Sequence, residues 1–160
     1  MELYLLRHGI AEDAPPGHPD ADRRLTAEGK KKTAEVIRLA RRAGLEEPLV
    51  LSSPYARAVE TARVAIAELG LKNEPVLTPA LIPHSNPEAV WAELRDFNKE
   101  RALLLSGHEP LMGHLAAYLL NTPGLRVDMK KSALVRIDVE GLGYVPYGTL
   151  RWMLTPRLAG

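Results

Sequence analysis

Three polar clusters stand in this chain directly after three short apolar runs. Arg7-His8-Gly9 follows Leu3-Tyr4-Leu5-Leu6, Ser52-Ser53-Pro54-Tyr55-Ala56-Arg57 follows Leu49-Val50-Leu51, and Ser106-Gly107-His108-Glu109 follows Leu103-Leu104-Leu105. Guanidinium forks match phosphoryl oxygens, two cations neutralise a dianion, and imidazole serves as nucleophile or proton carrier near neutral pH. Taken singly, each residue has a plainer use. His8 suits a strand end satisfied by backbone, His108 a cap before Pro110, and Arg57 a solvated position. Arg57 nevertheless falls in the first turn of a predicted helix, where a cation opposes the helix dipole and a bound anion would reverse the penalty. Together the two arginines and two histidines point to a phosphoryl group. Metal ligation by His8 and His108 is disfavoured, because the arginines repel a cation and no carboxylate is placed to complete a shell. Neither a metal nor a cofactor is expected.

The elements that must position these groups follow from patterning. The three runs lack period-two alternation, which suits strands buried on both faces, as in a parallel sheet covered by helices. Residues 54–69 carry Tyr55, Ala58, Val59, Ala62, Ala65, Ile66 and Leu69 on one helical stripe, with Arg57 off it. Ser53 is the expected N-cap, Pro54 the first helical residue and Gly70 the stop. A second helix is predicted over Thr26–Ala43, closed by Gly44, with Lys30-Lys31-Lys32 on its solvated face. Shorter helices fit Pro87–Phe97 and Pro110–Leu120. A weak strand is expected at Val76-Leu77, and Ala133–Val139 and Leu150–Leu154 read as a closing pair. Strands alternating with helices imply an α/β sandwich, and ligands in such sheets bind beyond the strands' carboxyl ends. The long irregular stretch from Gly9 to Leu25 is expected to be a functional lid.

Composition narrows the classes further. At 160 residues the chain has the length of one domain, 1–160, with 46% hydrophobic and 26% charged residues. Lys plus Arg number 21 against 20 Asp plus Glu, so the net charge of +1 gives no reason to expect nucleic-acid or membrane partners. There is no cysteine, which excludes thiolate catalysis and disulfides. No apolar run approaches the roughly 20 residues of a membrane span, and residues 2–6 are too short for a signal segment. A cytoplasmic location is expected.

The three clusters, in this order, resemble the motifs of the histidine phosphatase superfamily, which includes the phosphoglycerate mutases. The second motif continues into Thr61-Ala62. The short chain, Asp22-Arg23-Arg24-Leu25-Thr26 and Gly107-His108-Glu109-Pro110 are most similar to the SixA-type phosphohistidine phosphatases. The resemblance covers essentially the whole chain. It implies a three-layer α/β/α sandwich around a mostly parallel sheet, as in the phosphoglycerate mutases. It further implies His8 as nucleophile, with Arg7, Arg57 and His108 holding the phosphoryl oxygens and Arg23 reaching the phosphate from the loop.

One departure bears on the substrate. Mutases and sugar phosphatases of the superfamily carry a glutamate acid after the third strand, where this chain reads Leu81-Ile82-Pro83-His84-Ser85-Asn86-Pro87. Expelling an alkoxide needs a proton donor, worth roughly 10²–10⁴ in rate. A protonated imidazole leaves with far less help. His84, Glu88 and Glu109 are the candidate donors, and Glu109 also suits a plain helix-start carboxylate. The expected activity is therefore a metal-independent phosphatase acting on a phosphohistidine-bearing signalling protein and releasing inorganic phosphate. The alternatives are a phosphomonoesterase for a small phosphorylated metabolite and a phosphate-binding module without catalysis.

Overall fold

Leu3-Tyr4-Leu5-Leu6 lacks alternation because both faces of its strand are covered. In the computed structural model, which describes all of residues 1–160, β1 (Glu2–Arg7) lies between β4 (Ala102–Gly107) and β5 (Leu134–Val139). The remaining strands are β2 (Leu49–Ser52), β3 (Val76–Leu77) and β6 (Gly148–Leu154), giving the order β3-β2-β4-β1-β5-β6. Pairing is parallel from β3 through β2 and β4 to β1, and antiparallel from β1 to β5 and β6.

Helices cover both faces. On one side α1 (Ala27–Arg42) and α2 (Ala56–Leu69) bring Val36, Ile37, Ala62 and Ala65 onto Tyr4, Leu6, Val50 and Leu104. On the other, α3 (Pro87–Leu94) and α4 (Leu111–Leu119) bring Trp91, Leu94, Met112 and Leu115 onto Leu3, Leu5, Leu103 and Leu105. Successive strand residues thus feed alternate cores, and the result is the three-layer α/β/α sandwich. A short α5 (Pro156–Ala159) ends the chain. No helix is long and apolar enough to cross a membrane.

Local chemistry sets the helix ends. Thr26 caps α1 by accepting the Gly29 N–H at 2.9 Å, and Gly44 follows the helix at φ 98°. Gly70 ends α2 in the left-handed region, as predicted. The start of α2 differs from expectation. The helix begins at Ala56 with Tyr55 as N-cap and no side-chain cap, so Ser53 and Pro54 lie outside it. Ser53 is drawn into the site instead.

Register brings the three polar clusters level. Arg7 pairs with Gly107, and Ser52 with Ser106. The stretch from Gly9 to Leu25 is pinned at its neck by a bridge between Ala11 and Leu25 and carries a 3-10 turn at Asp20–Asp22.

Candidate active site

The site starts from two strand ends held in step. The His8 N–H donates to the Gly107 carbonyl at 2.9 Å, so His8 and His108 emerge side by side with ring centroids 5.2 Å apart. Gly9 cannot be larger. A Cβ there would meet Thr33 Oγ1 at 2.9 Å, the Gly29 carbonyl at 3.0 Å and Ser132 Oγ at 3.1 Å. The turn after His8 is therefore packed directly on the first turns of α1. Thr61 joins it to α2, accepting the Gly9 N–H at 3.1 Å while its hydroxyl donates to the Arg57 carbonyl at 2.7 Å.

These contacts fix the state of His8. A carbonyl has no proton to give, so the 2.8 Å contact between His8 Nδ1 and the Gly9 oxygen places a proton on Nδ1. In the neutral ring Nε2 then carries the lone pair. Arg57 Nε–H faces it at 3.4 Å. Ser53 Oγ accepts the Tyr55 N–H at 3.2 Å and shares a 2.8 Å hydrogen bond with His108 Nε2, in which either group can be the donor. His108 Nδ1 is buried and has no partner. Arg7 Nη1 donates to the Met129 carbonyl at 2.8 Å, while its buried Nε is likewise unpartnered. The Tyr55 ring lies edge-on to His108 and beneath the Arg57 guanidinium, 5.2 Å from its carbon.

Electrostatics keep both rings neutral. Burial is the largest influence on His8 and, with the charges of Arg57, Arg7 and Lys131, pushes its pKa down to about 4 against the opposing Gly9 hydrogen bond. Burial and the neighbouring His8 and Arg57 push His108 down to about 3. Both imidazoles are uncharged at pH 7, as a nucleophile requires.

Arg57 is 6% exposed, so the plain reading of a solvated arginine is wrong. It lies off the apolar stripe, yet loop 9–25 folds over it. Asp20 accepts from Arg57 twice, through its backbone oxygen at 2.9 Å and its carboxylate at 3.0 Å. Arg23 reaches the other Asp20 carboxylate oxygen at 3.2 Å and the Glu12 carbonyl at 2.8 Å. The structure thus brings Arg23 within one ion pair of Arg57 but gives it no contact with His8. Desolvation acts upward on Asp20, but hydrogen bonds from Arg23 and Arg57 outweigh it and hold the carboxyl below its usual range.

The three candidate proton donors fall elsewhere. Glu109 accepts the Gly113 N–H at 2.7 Å at the start of α4. Burial raises its pKa, against that bond and the charge of Arg7. His84 and Glu88 are exposed and make no hydrogen bond to the site residues. No group of three or more His, Cys, Asp or Glu side chains converges as metal ligands do. Asp20, Ser53 and Lys131 join the site without having been singled out for it from sequence. Asp20 stands three residues before Arg23, and Ser53 lies inside the second motif. Lys131 has no sequence signal of its own.

Packed strand ends, a lone pair on a neutral imidazole and surrounding guanidinium donors are the parts of a phosphoryl-transfer site. The model of the histidine phosphatase superfamily (branch 1) matches residues 3–82, half of the chain. The protein belongs to the histidine phosphatase superfamily and is a phosphatase of that kind. An uncharacterised protein of Picosynechococcus sp. (strain PCC 7002) is 35% identical over 139 residues, covering 84% of this chain and 83% of that protein. Phosphohistidine phosphatase SixA of Escherichia coli K12 is 29% identical over 159 residues, or 98% and 94% of the two chains. The structure of protein histidine phosphatase SixA complexed with tungstate superposes with a TM-score of 0.84 at 26% identity, covering 98% of each chain. The alpha-ribazole phosphatase of Shigella flexneri, at 19% identity and a TM-score of 0.74 over 98% and 97% of the chains, shares the fold.

Proposed function

We propose that residues 1–160 form one metal-independent histidine phosphatase domain that removes the phosphoryl group from phosphohistidine on a signalling protein. The observation that carries this reading is the fixed tautomer of His8, a neutral ring whose Nε2 lone pair faces Arg57. Nε2 attacks phosphorus, and the bond from phosphorus to the substrate nitrogen breaks. The substrate imidazole departs with a proton from solvent. His8, now phosphorylated on Nε2, carries positive charge that the Gly9 carbonyl stabilises through Nδ1–H. Arg7, Arg57 and His108 hold the phosphoryl oxygens as charge shifts toward the leaving nitrogen. Water then attacks phosphorus, the bond to Nε2 breaks, and inorganic phosphate leaves.

The surroundings favour a good leaving group. Glu109 is committed to the backbone of α4, and Asp20 stays ionised between two arginines, so neither is a ready acid. A sugar or alcohol ester would then lack the roughly 10²–10⁴ that a proton donor supplies. The similarity to SixA of E. coli supports the same substrate class. The test is a turnover comparison of a phosphohistidine protein with a panel of sugar and nucleotide phosphates. Faster turnover of the phosphohistidine protein is expected. Preference for one small phosphate ester would instead establish a metabolite phosphomonoesterase.

A further inference from the structure

Arg7 borders a second feature, an open groove of about 740 Å³ beside the strand ends. Five of its nine lining residues are cations drawn from separate segments: Arg7 of β1, Lys32 of α1, Lys130 and Lys131 before β5, and Arg157 of α5. Lys32 pairs with Glu28 at 3.0 Å and Lys130 with Asp128 at 2.9 Å, whereas Lys131 and Arg157 make no ion pair. A chain with a net charge of +1 has therefore gathered surplus positive charge at one place. That place adjoins the nucleophile, since the N–H of Ser132, the residue after Lys131, donates to the His8 carbonyl at 3.2 Å.

The lining identifies the class of occupant. Pockets for small molecules are walled mainly by apolar and aromatic side chains with a few converging polar groups. Here one lining residue of nine is hydrophobic, and the cations are spread along an open rim. A nucleic-acid surface would need a broad basic stripe with stacking aromatics, which the groove lacks. Spread rim charge instead steers a complementary polypeptide and sets its register.

We propose that this groove docks an acidic segment of the polypeptide that carries the phosphohistidine, with Arg157 and Lys131 as its specificity-determining contacts. The proposal rests on the phosphohistidine reading above. Phosphate bound by Arg7 and Arg57 would mark one end of the substrate, and glutamates or aspartates flanking the phosphorylated histidine would lie along the groove from Arg7 towards Arg157.

The test uses two synthetic peptides, each phosphorylated on a single histidine with potassium phosphoramidate. One carries glutamates beside the histidine and the other glutamines, and p-nitrophenyl phosphate serves as a substrate with no flanks. The wild-type protein should prefer the glutamate peptide by about tenfold in kcat/KM, mainly through KM, and the preference should shrink in about 0.5 M salt. Arg157→Glu should remove most of that preference while leaving turnover of the glutamine peptide and p-nitrophenyl phosphate unchanged, which also shows that the variant is folded. Equal kcat/KM for both peptides in the wild type would overturn the docking proposal and leave the phosphohistidine activity standing. A preference that survives both Arg157→Glu and Lys131→Glu would overturn it too. Hydrolysis of p-nitrophenyl phosphate with neither peptide turned over would overturn the phosphohistidine reading, and the docking proposal with it.

Discussion

The strand ends and the loop over them meet at Arg57 but are built on opposite principles. His8, His108, Ser53 and Arg57 are 7% exposed or less, and backbone and hydroxyl contacts tie them to the sheet and to α2. Asp20 and Arg23 sit on loop 9–25, where the Asp20 side chain is 58% exposed and its partners are mainly arginines. Buried groups have one available geometry. Exposed ion pairs are each worth about 0–1 kcal/mol and exchange readily. The strand ends thus fix the reacting nitrogen, while the loop offers an anion that a phosphoryl group can displace.

Variants and conditions separate the two halves, beginning with the nucleophile. His8→Ala should abolish turnover, and alkaline quenching after brief reaction with radiolabelled substrate should trap an acid-labile phosphoryl group on the wild type alone. Equal labelling of the variant would remove His8 from the reaction. Next in size, Arg57→Ala should cost on the order of 2–4 kcal/mol of transition-state stabilisation in kcat/KM. Its fold should survive, because the side chain's partners are Asp20 and His8 rather than the apolar core.

Acid should act on the strand ends through stability. His8 and His108 titrate near 6.5 when unfolded but at about 4 and about 3 in the native protein. Between those values the unfolded chain binds more protons, so native stability is complete above pH 6.5 and is lost as pH falls towards 4. The slope should approach roughly 1.4 kcal/mol per pH unit for each histidine, read from thermal or urea unfolding at a series of pH values. His8→Ala should reduce it to the share of His108, about half.

The loop should give smaller effects. Asp20→Asn removes the internal anion from Arg57, so inorganic phosphate should inhibit about fivefold more tightly, the worth of a half-exposed ion pair. Weaker inhibition would mean that Asp20 holds Arg57 in position instead of competing for it. Smallest of all, Glu109→Gln should leave aryl and alkyl phosphate turnover alike and change stability by a few tenths of a kcal/mol, since the amide oxygen still accepts the Gly113 N–H. A loss confined to alkyl esters would make Glu109 the proton donor.

The same division marks what was legible in the sequence. Three apolar runs ending in Arg7-His8-Gly9, Ser52–Arg57 and Ser106–Glu109 were enough to anticipate the central strands and the motifs' shared edge. Buried parallel strands lose alternation, and their ends must gather at one edge of the sheet. The start of α2 was misplaced because serine followed by proline satisfies a local capping rule. Tertiary structure overrides it by using Ser53 Oγ to hold His108. The burial of Arg57 could not be seen on a helical stripe, because a loop more than thirty residues earlier supplies its partner. Lys131 was equally hidden, coming from beyond β4 and reaching His8 through the field alone.

The crowding at Gly9 has a consequence for motion. In a displacement at phosphorus, either the attacking atom advances or the phosphorus travels. With no room for a methyl group at Gly9, and with its N–H held by Thr61, the imidazole has little freedom to advance. The phosphorus must then do the travelling, crossing from the leaving nitrogen to Nε2 past guanidinium groups that keep their places. A structure with vanadate bound in place of the transferring group should find Nε2 unmoved relative to β1 and the vanadium drawn in to it.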